Sequence, residues 1–289
     1  MTIRAAVIGC GAQGRHHLEA YRALPDVTIA AVCDADPARL ARAGAEFGAR
    51  GQFADYRQAL AAGEYDLVSV CTMPNTHREI AVAALAAGAH VLCEKPVARD
   101  AGEAAAMVAA ARQAGRFLTF GLNMRFMPSA RELRRLIDGG AIGRPVYTRA
   151  WTLANDIPWW GKHYIKAISG GGVLASTAVH ILDLALWLLG HPRPVTASAS
   201  LGRTFPRKRG GTAPDPAAAA SYDVEDLLSG HVRFADGTWL TLEAGWSWDR
   251  PDYSYSCEIV GDLASVQFDP LRLIGEEDDI VLGEFGVSN

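Results

Sequence analysis

The chain has 289 residues, of which 49% are apolar and 21% are charged, and its formal net charge is −4. This length and composition suffice to bury a full core in two domains or one large one, and they exclude a disordered chain. The mild negative charge and the absence of any run near the roughly 20 apolar residues that span a bilayer predict a soluble protein without nucleic acid or membrane partners.

The first 122 residues alternate continuous apolar runs with Ala-rich segments of helical spacing. The apolar runs predict parallel strands buried on both faces, and several of the Ala-rich segments are followed by Gly, where helices commonly end. The predicted strands are Ile3–Gly9, Thr28–Asp34, Leu67–Thr72, His90–Lys95 and Phe117–Leu122, and the predicted helices include Ala12–Leu24, Pro37–Phe47, Thr76–Ala87 and Asp100–Ala114. We predict an α/β fold whose residues 1–122 form a Rossmann domain with a doubly wound, six-stranded parallel sheet.

After residue 122 the pattern changes to two helices and a series of consecutive strands. The predicted helices are Pro128–Asp138 and Val173–Leu189, and the predicted strands are Pro145–Ala154, Val195–Thr204, Leu227–Phe234, Trp239–Trp248, Ser254–Val260 and Ser265–Asp269. Strands without intervening helices predict a mainly antiparallel sheet with one open face. Residues 123–289 are therefore predicted to form an α+β domain for substrate binding and oligomerisation, and we expect its sheet to join copies into a homodimer or homotetramer.

The stretch Pro206–Ser221 is low in complexity and contains three prolines and the basic cluster Arg207–Arg209. This composition favours a solvated mobile loop. A lid or an arm that reaches a neighbouring subunit is the alternative.

The five cysteines are odd in number and lack metal-like spacing, and most of them lie inside or at the ends of apolar runs. They are Cys10, Cys33, Cys71, Cys93 and Cys257. We expect reduced thiols that pack as small core residues in a cytoplasmic protein, and no metal site.

A GxGxxG motif at 9–14 follows the first predicted strand and opens a helix. Its glycines allow a tight turn and close approach of a pyrophosphate, and the helix N-terminus attracts the phosphate charge. Asp34 ends the second strand about 20 residues later, where a carboxylate accepts hydrogen bonds from a ribose diol. The predicted cofactor contacts in this region are Gly9, Gly11, Ala12, Gln13, Gly14 and Asp34.

The residues after Asp34 favour NAD over NADP. Asp34 and Asp36 would together repel a 2′-phosphate. Asp36 precedes Pro37 at a predicted helix start, so we expect it to act as an N-cap. Arg39, one turn further, keeps NADP as the less favoured alternative.

Polar residues also follow the next predicted strands, at TMPNTH (72–77) and CEKP (93–96). Ligands of open α/β sheets bind beyond the carboxyl ends of the strands, so we expect these loops to meet the glycine-rich turn in one crevice. The predicted cofactor contacts there are Thr72, Asn75, His77, Glu94 and Lys95. A lysine at the end of a buried strand needs a polar or charged acceptor, which favours a functional Lys95 over a solvated one.

The chain resembles the Gfo/Idh/MocA family of NAD(P)-dependent oxidoreductases, named for glucose–fructose oxidoreductase and inositol dehydrogenase. The matching segments are GCGAQG at 9–14, TMPNTH at 72–77, AALAAGAHVLCEKP at 83–96, GLNMRF at 121–126, GAIGRP at 140–145 and GGGVLASTAVHILDLALWLLG at 170–190. The resemblance implies a Rossmann domain, an open-faced sheet domain, a homo-oligomer, and hydride transfer at a carbinol carbon of a sugar or polyol. It also implies a cis Lys95–Pro96 bond. Family members commonly extend beyond the equivalent of Asn289, so we expect the sheet to lose an edge strand.

The resemblance implies catalytic roles for Lys95 and His180. Lys95 would hydrogen-bond both the substrate hydroxyl and the cofactor, and His180 would be the proton acceptor or its close partner. Ser176, His180 and Asp183 are spaced i, i+4 and i+7, which predicts one face of a helix. The family pattern usually has Asp at the position of Ser176, so the usual three-residue proton relay lacks a carboxylate here.

The loop before the triple glycine, at 157–164, contains an aromatic pair. Aromatic faces stack on sugar rings, although core packing explains either tryptophan equally well. Arg125 would enter the crevice from the end of the sixth strand, with an interdomain salt bridge as the alternative. The predicted substrate contacts are Asn123, Arg125, Trp159, Trp160, Ser176 and His180. Trp246 and Trp248 alternate along one strand and indicate sheet packing or a subunit interface.

The leading hypothesis is an NAD-dependent dehydrogenase that acts on a secondary alcohol of a sugar, cyclic polyol or sugar derivative, with Lys95 and His180 as the catalytic residues. One alternative is a non-catalytic, NAD-dependent ligand sensor, which Ser176 favours. Another is a redox-neutral glycosidase or epimerase that uses tightly held NAD.

Overall fold

The computed structural model of the chain describes residues 2–205, 213–249, 252–275 and 279–283, the last of these by backbone alone. The chain forms two compact units, Met1–Gly121 with Ala167–Gly170, and Leu122–Lys166 with Gly171–Asn289. Residues 167–170 thus belong to the first unit, whereas the predicted single boundary after residue 122 assigns them to the second. The basic cluster Arg207–Arg209 lies outside the described residues.

The first unit contains a parallel sheet covered by helices. Its strands are β1 (Ile3–Ile8), β2 (Val27–Cys33), β3 (Gly51–Phe53), β4 (Leu67–Val70), β5 (His90–Cys93) and β6 (Leu118–Phe120), and its helices are α1 (Ala12–Ala23), α2 (Pro37–Phe47), α3 (Tyr56–Ala62), α4 (Pro74–Ala86) and α5 (Ala101–Ala114). The strand order is β3-β2-β1-β4-β5-β6. Successive residues of β1 belong to different apolar clusters, Val7 to one and Ile8 to the other. This arrangement confirms the predicted six-stranded Rossmann fold.

The helices begin and end at the capping residues that the sequence predicts. The carboxylate of Asp36 accepts hydrogen bonds from the amides of Ala38 and Arg39, so it is the N-cap of α2. Gly48 and Gly115 follow α2 and α5 with φ of 65° and 61°, a left-handed conformation that glycine adopts without a Cβ clash.

The second unit contains a mixed sheet of eight strands. They are β7 (Pro145–Leu153), β8 (Pro194–Gly202), β9 (Leu227–Phe234), β10 (Trp239–Gly245), β11 (Ser254–Gly261), β12 (Ser265–Gln267), β13 (Leu271–Ile274) and β14 (Asp279–Gly283), in the order β14-β13-β12-β11-β7-β10-β9-β8. The prediction of a mainly antiparallel sheet is confirmed, with one correction: the central pair β7 and β10 is parallel. Strands β13 and β14 extend the sheet beyond the predicted set.

The remaining helices are α6 (Pro128–Asp138), α7 (Lys166–Ser169), α8 (Val179–Leu188) and α9 (Pro216–Ala220), with a π turn at Leu174–Ala178 and 3₁₀ turns at Asn123–Phe126 and Trp160–Lys162. The stretch Lys166–Leu188 is long and apolar enough to cross a membrane by length and composition alone. Ile181, Leu184 and Leu188 of α8 are buried in the core of the second unit. The predicted low-complexity loop is partly helical, because α9 lies within it.

A buried carboxylate joins three segments of the second unit. Asp226 is fully buried, and its carboxylate accepts the amides of Thr204 at 2.9 Å and Phe205 at 3.0 Å. The Tyr222 hydroxyl lies 3.3 Å from the same carboxylate, and the Asp226 carbonyl accepts the amide of Trp246. The end of β8, the start of β9 and the end of β10 are therefore held together.

Replacement of Asp226 should destabilise the second unit more than its small volume suggests. Asp226→Ala leaves several buried donors without their acceptor, so we expect the free energy of unfolding to fall by about 3 kcal/mol or more. Urea unfolding measures this loss. Asp26→Ala, at an exposed carboxylate, is the control and should change stability by less than about 0.5 kcal/mol. Equal stability of the two variants would contradict the role of Asp226.

Candidate functional site

Different structural constraints account for the three glycines of the turn between β1 and α1. A Cβ on Gly9, whose φ is +95°, would lie 2.5 Å from the Cys71 carbonyl oxygen, and one on Gly14 would lie 1.8 Å from the Gly9 oxygen. Packing within the protein therefore requires both. A Cβ on Gly11 would meet only the Arg39 guanidinium, at 3.8 Å. Gly11 thus leaves an open backbone surface, which a pyrophosphate can approach.

Asp34 lies against this turn with a fixed carboxylate. Its Oδ2 accepts the amide of Cys10 at 2.7 Å, and its Oδ1 accepts the amide of Asp36 at 2.8 Å. Ala12 and Gln13 are exposed in the first turn of α1, where backbone N–H groups have no partner within the helix. An open glycine surface, helix-end donors and a held carboxylate fit the pyrophosphate and ribose of NAD.

The loop after β4 brings Thr72 and Asn75 to the start of α4. Asn75 is exposed, and the Thr72 hydroxyl accepts a hydrogen bond from Thr76 at 2.8 Å. His77 is fully buried, and its ring nitrogens lie 2.9 Å from the Pro96 carbonyl and 3.1 Å from the Thr72 carbonyl. His77 therefore joins the loops after β4 and β5, and a direct cofactor contact from its ring stays a prediction.

Glu94 and Lys95 follow β5 directly. The Glu94 carboxylate is buried and accepts the amide of Lys95 at 3.1 Å. Burial lowers the pKa of Lys95, and the Glu94 charge opposes that shift. The Lys95–Pro96 bond is cis, which confirms the expectation from the family resemblance.

The segment that carries Ser176 and His180 is not one regular helix. Ser176 lies in the π turn and is 2% exposed, whereas His180 lies in the first turn of α8 and is half-buried. The π turn therefore departs from the regular helix that the sequence predicts. A shared face for Ser176, His180 and Asp183 stays a prediction.

Asp183 has a different partner. Arg125 Nε donates to Asp183 Oδ2 at 2.7 Å, and Arg125 Nη2 donates to Asp183 Oδ1, so the pair is bidentate. This pair lies within the second unit, unlike the interdomain salt bridge of the alternative interpretation. Asn123 is exposed at the start of the same 3₁₀ turn.

The structure separates the predicted aromatic pair. Trp159 packs with Tyr164, Phe205 and Tyr222 at ring-centroid distances of 5.1, 5.1 and 5.8 Å, which supports core packing. Trp160 is 59% exposed and remains open to a ligand.

The tryptophans Trp246 and Trp248, beyond the end of β10, also differ in burial. Trp246 is buried beyond the end of β10 and donates its indole N–H to the Thr177 hydroxyl at 2.7 Å, whereas Trp248 is exposed. The predicted strand to residue 248 is therefore three residues too long.

A cavity of about 400 Å³ opens within the second unit beside this indole. It is lined by Ala154, Asn155, Asp156, Pro158, Thr177, Trp246, Asp252 and Tyr253. Aromatic rings with a few hydroxyl, amide and carboxylate groups are typical of sites that bind polyhydroxylated rings. Among the residues that the structure describes, no group of three or more His, Cys, Asp and Glu side chains could hold a metal ion.

Sequence reasoning missed Glu225, which holds the triple glycine. Its carboxylate accepts the amide of Gly172 at 2.9 Å and that of Leu174 at 3.2 Å. A Cβ on Gly172 would lie 1.9 Å from the Glu225 carbonyl oxygen, so glycine is required there. The only sequence signal is an acidic pair before a strand, which does not identify its distant partner.

Comparisons with known proteins agree with this geometry. A family model for oxidoreductases with an NAD-binding Rossmann fold matches residues 3–122, and the GFO/IDH/MocA C-terminal domain matches residues 130–267. The chain is 31% identical to D-glucoside 3-dehydrogenase of Escherichia coli (strain K12) over 94% of this chain and 78% of the relative. It is 33% identical to inositol 2-dehydrogenase 2 of Saccharopolyspora erythraea (strain ATCC 11635 / DSM 40517 / JCM 4748 / NBRC 13426 / NCIMB 8594 / NRRL 2338) over 93% of this chain and 74% of that one.

A solved structure is similar throughout. Levoglucosan dehydrogenase in complex with NADH and levoglucosan superposes with a TM-score of 0.85 and 27% identity. The match covers 98% of this chain and 81% of that chain.

Two glycine variants should separate cofactor binding from folding. Gly11→Ala meets open space, so we expect an unchanged thermal unfolding midpoint and NAD binding at least about tenfold weaker, because the methyl group fills the surface that a pyrophosphate would approach. Gly14→Ala collides with the Gly9 carbonyl, so we expect a lower midpoint. Calorimetric titration and thermal unfolding provide the two measurements. Normal NAD affinity in Gly11→Ala would exclude the cofactor from this surface.

Proposed function

The chain belongs to the Gfo/Idh/MocA family of oxidoreductases, and on this premise we propose how its residues oxidise a sugar or polyol. It is an NAD-dependent oxidoreductase that acts on a CH–OH group of a sugar, cyclic polyol or sugar derivative. When bound, NAD accepts the hydride at its nicotinamide ring. The residues of the chain bind and orient the substrate and move the proton.

The proposal depends most on the position of Lys95. Lys95 follows β5 at the carboxyl edge of the sheet, the edge at which Gly11 leaves its open backbone surface. In the proposed reaction the Lys95 side chain donates a hydrogen bond to the reacting hydroxyl and positions the carbinol carbon. The Glu94 charge supports the ammonium form of Lys95 against the effect of burial.

The proposed proton acceptor is His180. His180 takes the hydroxyl proton in the oxidative direction, and Ser176 contributes a hydrogen bond in place of the usual carboxylate. Serine carries no charge, so it stabilises an imidazolium less than Asp would.

The cavity beside Trp246 supports a neutral, polyhydroxylated substrate. Asp156 and Asp252 line it together with the hydroxyls of Thr177 and Tyr253. Carboxylates accept hydrogen bonds from sugar hydroxyls and repel anions. Neutral sugars and inositols should therefore be better substrates than uronic acids or sugar phosphates.

We also propose a cytoplasmic homo-oligomer. The five cysteines are free and buried, as expected for a reducing compartment. The eight-stranded sheet buries Ala150, Leu240 and Leu242 on one face and leaves Tyr147 and Trp239, whose rings lie 5.6 Å apart, on the other. An open aromatic face of this kind fits a second copy of the chain.

A substrate panel tests the proposed function. Purified protein is incubated with neutral sugars, inositols, uronic acids and sugar phosphates, with NAD or NADP, and the absorbance of reduced nicotinamide is recorded. We expect turnover of at least one neutral compound and at least about tenfold higher kcat/KM with NAD, because Asp34 would repel a 2′-phosphate. NAD binding without turnover of any compound would favour the ligand-sensor alternative.

Variants of the proposed catalytic residues should differ in a defined order. Lys95→Ala and His180→Ala should each lower kcat/KM by about 100-fold or more, because acid–base groups contribute about 10²–10⁴-fold. Ser176→Ala should lower it by only about tenfold, and Ser176→Asp should raise it by stabilising the His180 imidazolium. The measurement is a pH–rate profile for each variant. Wild-type kcat/KM in His180→Ala would exclude this proton path.

The open sheet face should hold the oligomer together. Trp239→Glu places a charge in the proposed interface, so we expect the mass from light scattering to fall to that of a monomer. Phe117→Glu changes an aromatic residue of the first unit that is 79% exposed, and it should leave the mass unchanged. A monomeric wild-type protein, or an unchanged mass in Trp239→Glu, would contradict the interface.

A further inference from the structure

A buried chain of hydrogen bonds connects α1 to the strand end that carries Lys95. His17 Nε2 lies 3.0 Å from Glu94 Oε1, and His17 Nδ1 lies 2.9 Å from Ser69 Oγ. Ser69 Oγ in turn lies 2.5 Å from the Tyr21 hydroxyl. The side chains of His17 and Glu94 are only 13% and 11% exposed, so these groups depend on one another for hydrogen bonds.

The chemistry of the four groups sets the direction of each bond. An ionised carboxylate only accepts, so His17 Nε2–H donates to Glu94. His17 Nδ1 then accepts from the Ser69 hydroxyl, and Ser69 Oγ accepts from the Tyr21 hydroxyl. With Nε2–H as the donor and Nδ1 as the acceptor, the bond to Ser69 keeps the ring turned so that Nε2–H faces Glu94.

The second oxygen of Glu94 faces Lys95. Glu94 Oε2 accepts the Lys95 amide at 3.1 Å. Burial raises the pKa of Glu94, but the hydrogen bonds from His17 and Lys95 outweigh burial and leave that pKa lowered. The resulting charge opposes the fall that burial causes in the pKa of Lys95. The Glu94 carboxylate thus connects His17 with the proposed catalytic Lys95, with one oxygen on each neighbour.

Three other titratable groups interact with Glu94. They are His77 of α4 and the thiols of Cys71 and Cys93. Both ring nitrogens of His77 face carbonyl oxygens, those of Pro96 and Thr72, so neither donates to Glu94. Burial raises the pKa of both thiols, so they are uncharged at pH 7. The side-chain donor that keeps Glu94 ionised is therefore His17.

We propose that His17 is a positioning residue that acts through Glu94 to keep Lys95 charged and oriented for the reaction. The inference rests on the proposed function of Lys95. His17 itself needs no contact with the substrate for this role.

The first test is the pH dependence of a variant relative to wild type. His17→Leu removes the donor, so the pKa of Glu94 rises and its charge is lost as the pH falls. We expect kcat/KM to be about tenfold below wild type at about pH 6 and to rise toward wild type by about pH 9. His17→Gln retains an N–H group near the position of Nε2 and should recover most of the loss.

The adjacent His16 provides a matched control. It lies on the same helix and is exposed, so His16→Leu should follow the wild-type profile at every pH. Two results would overturn the inference, because both indicate a merely structural role. One is a ratio of His17→Leu kcat/KM to wild-type kcat/KM that does not change with pH. The other is a kcat/KM for His17→Gln no higher than that for His17→Leu.

The second test does not depend on activity. The protein is treated with acetic anhydride at pH 7, and peptide mass spectrometry measures the acetylation rate of Lys95 relative to that of the exposed Lys166. Loss of the Glu94 charge lowers the pKa of Lys95, so His17→Leu and Glu94→Gln should both label Lys95 about tenfold faster than wild type. Equal rates would reject the inference. Faster labelling in a protein that turns over no substrate would support the inference while contradicting the proposed function.

Discussion

Carboxylates that accept backbone N–H groups fix the loops on which both units depend. In the first unit, Asp34 holds the glycine-rich turn and Glu94 holds the end of β5. In the second, Glu225 holds the start of the π turn and Asp226 holds the residues after β8. Loop amides lack the repeating partners of a helix or strand, so each needs a local acceptor. A carboxylate offers two oxygens and charge-assisted bonds, which makes it the strongest acceptor available.

The same groups impose a cost that explains their surroundings. A buried carboxylate loses its hydration, and it remains ionised only where several donors replace the lost water. Asp226 has two amides and two hydroxyls within hydrogen-bond distance, and Glu94 has an amide and a ring N–H. Loss of one donor therefore frees the position of either group, and for Glu94 it also raises the pKa. Glu94 thereby couples His17 to Lys95, since the two neighbours share one carboxylate.

Local signals in the sequence predicted most of the fold and the loops that carry the candidate site residues. Continuous apolar runs mark β1, β2 and β4, and glycines mark the helix ends, so the Rossmann unit could be derived directly. Strands β3 and β13 were missed because a polar or charged residue, Gln52 in one and Arg272 in the other, interrupts each short apolar segment. The parallel pairing of β7 with β10 depends on contacts between distant segments, which no local pattern records.

The missed site residues share this long-range character. The Gly motif, Asp34 and Lys95 could be found because each stands in a recognisable local pattern at the end of a predicted strand. His17 lies 77 residues from Glu94, and Glu225 lies 53 residues from Gly172. The π turn at Ser176 begins where Glu225 holds the amide of Leu174, so its geometry could not be predicted from helical periodicity alone.

The distribution of charge differs between the two proposed catalytic residues. Lys95 shares the Glu94 carboxylate with His17, and the charge of Glu94 supports the cationic form of Lys95. For His180 the position usually occupied by Asp is Ser176, and Asp183 is committed to Arg125 in a bidentate pair. Neither Ser176 nor Asp183 therefore supplies a free carboxylate for an imidazolium. In the proposed mechanism, His180 accepts the hydroxyl proton, whereas the positive charge that orients the substrate hydroxyl lies on Lys95.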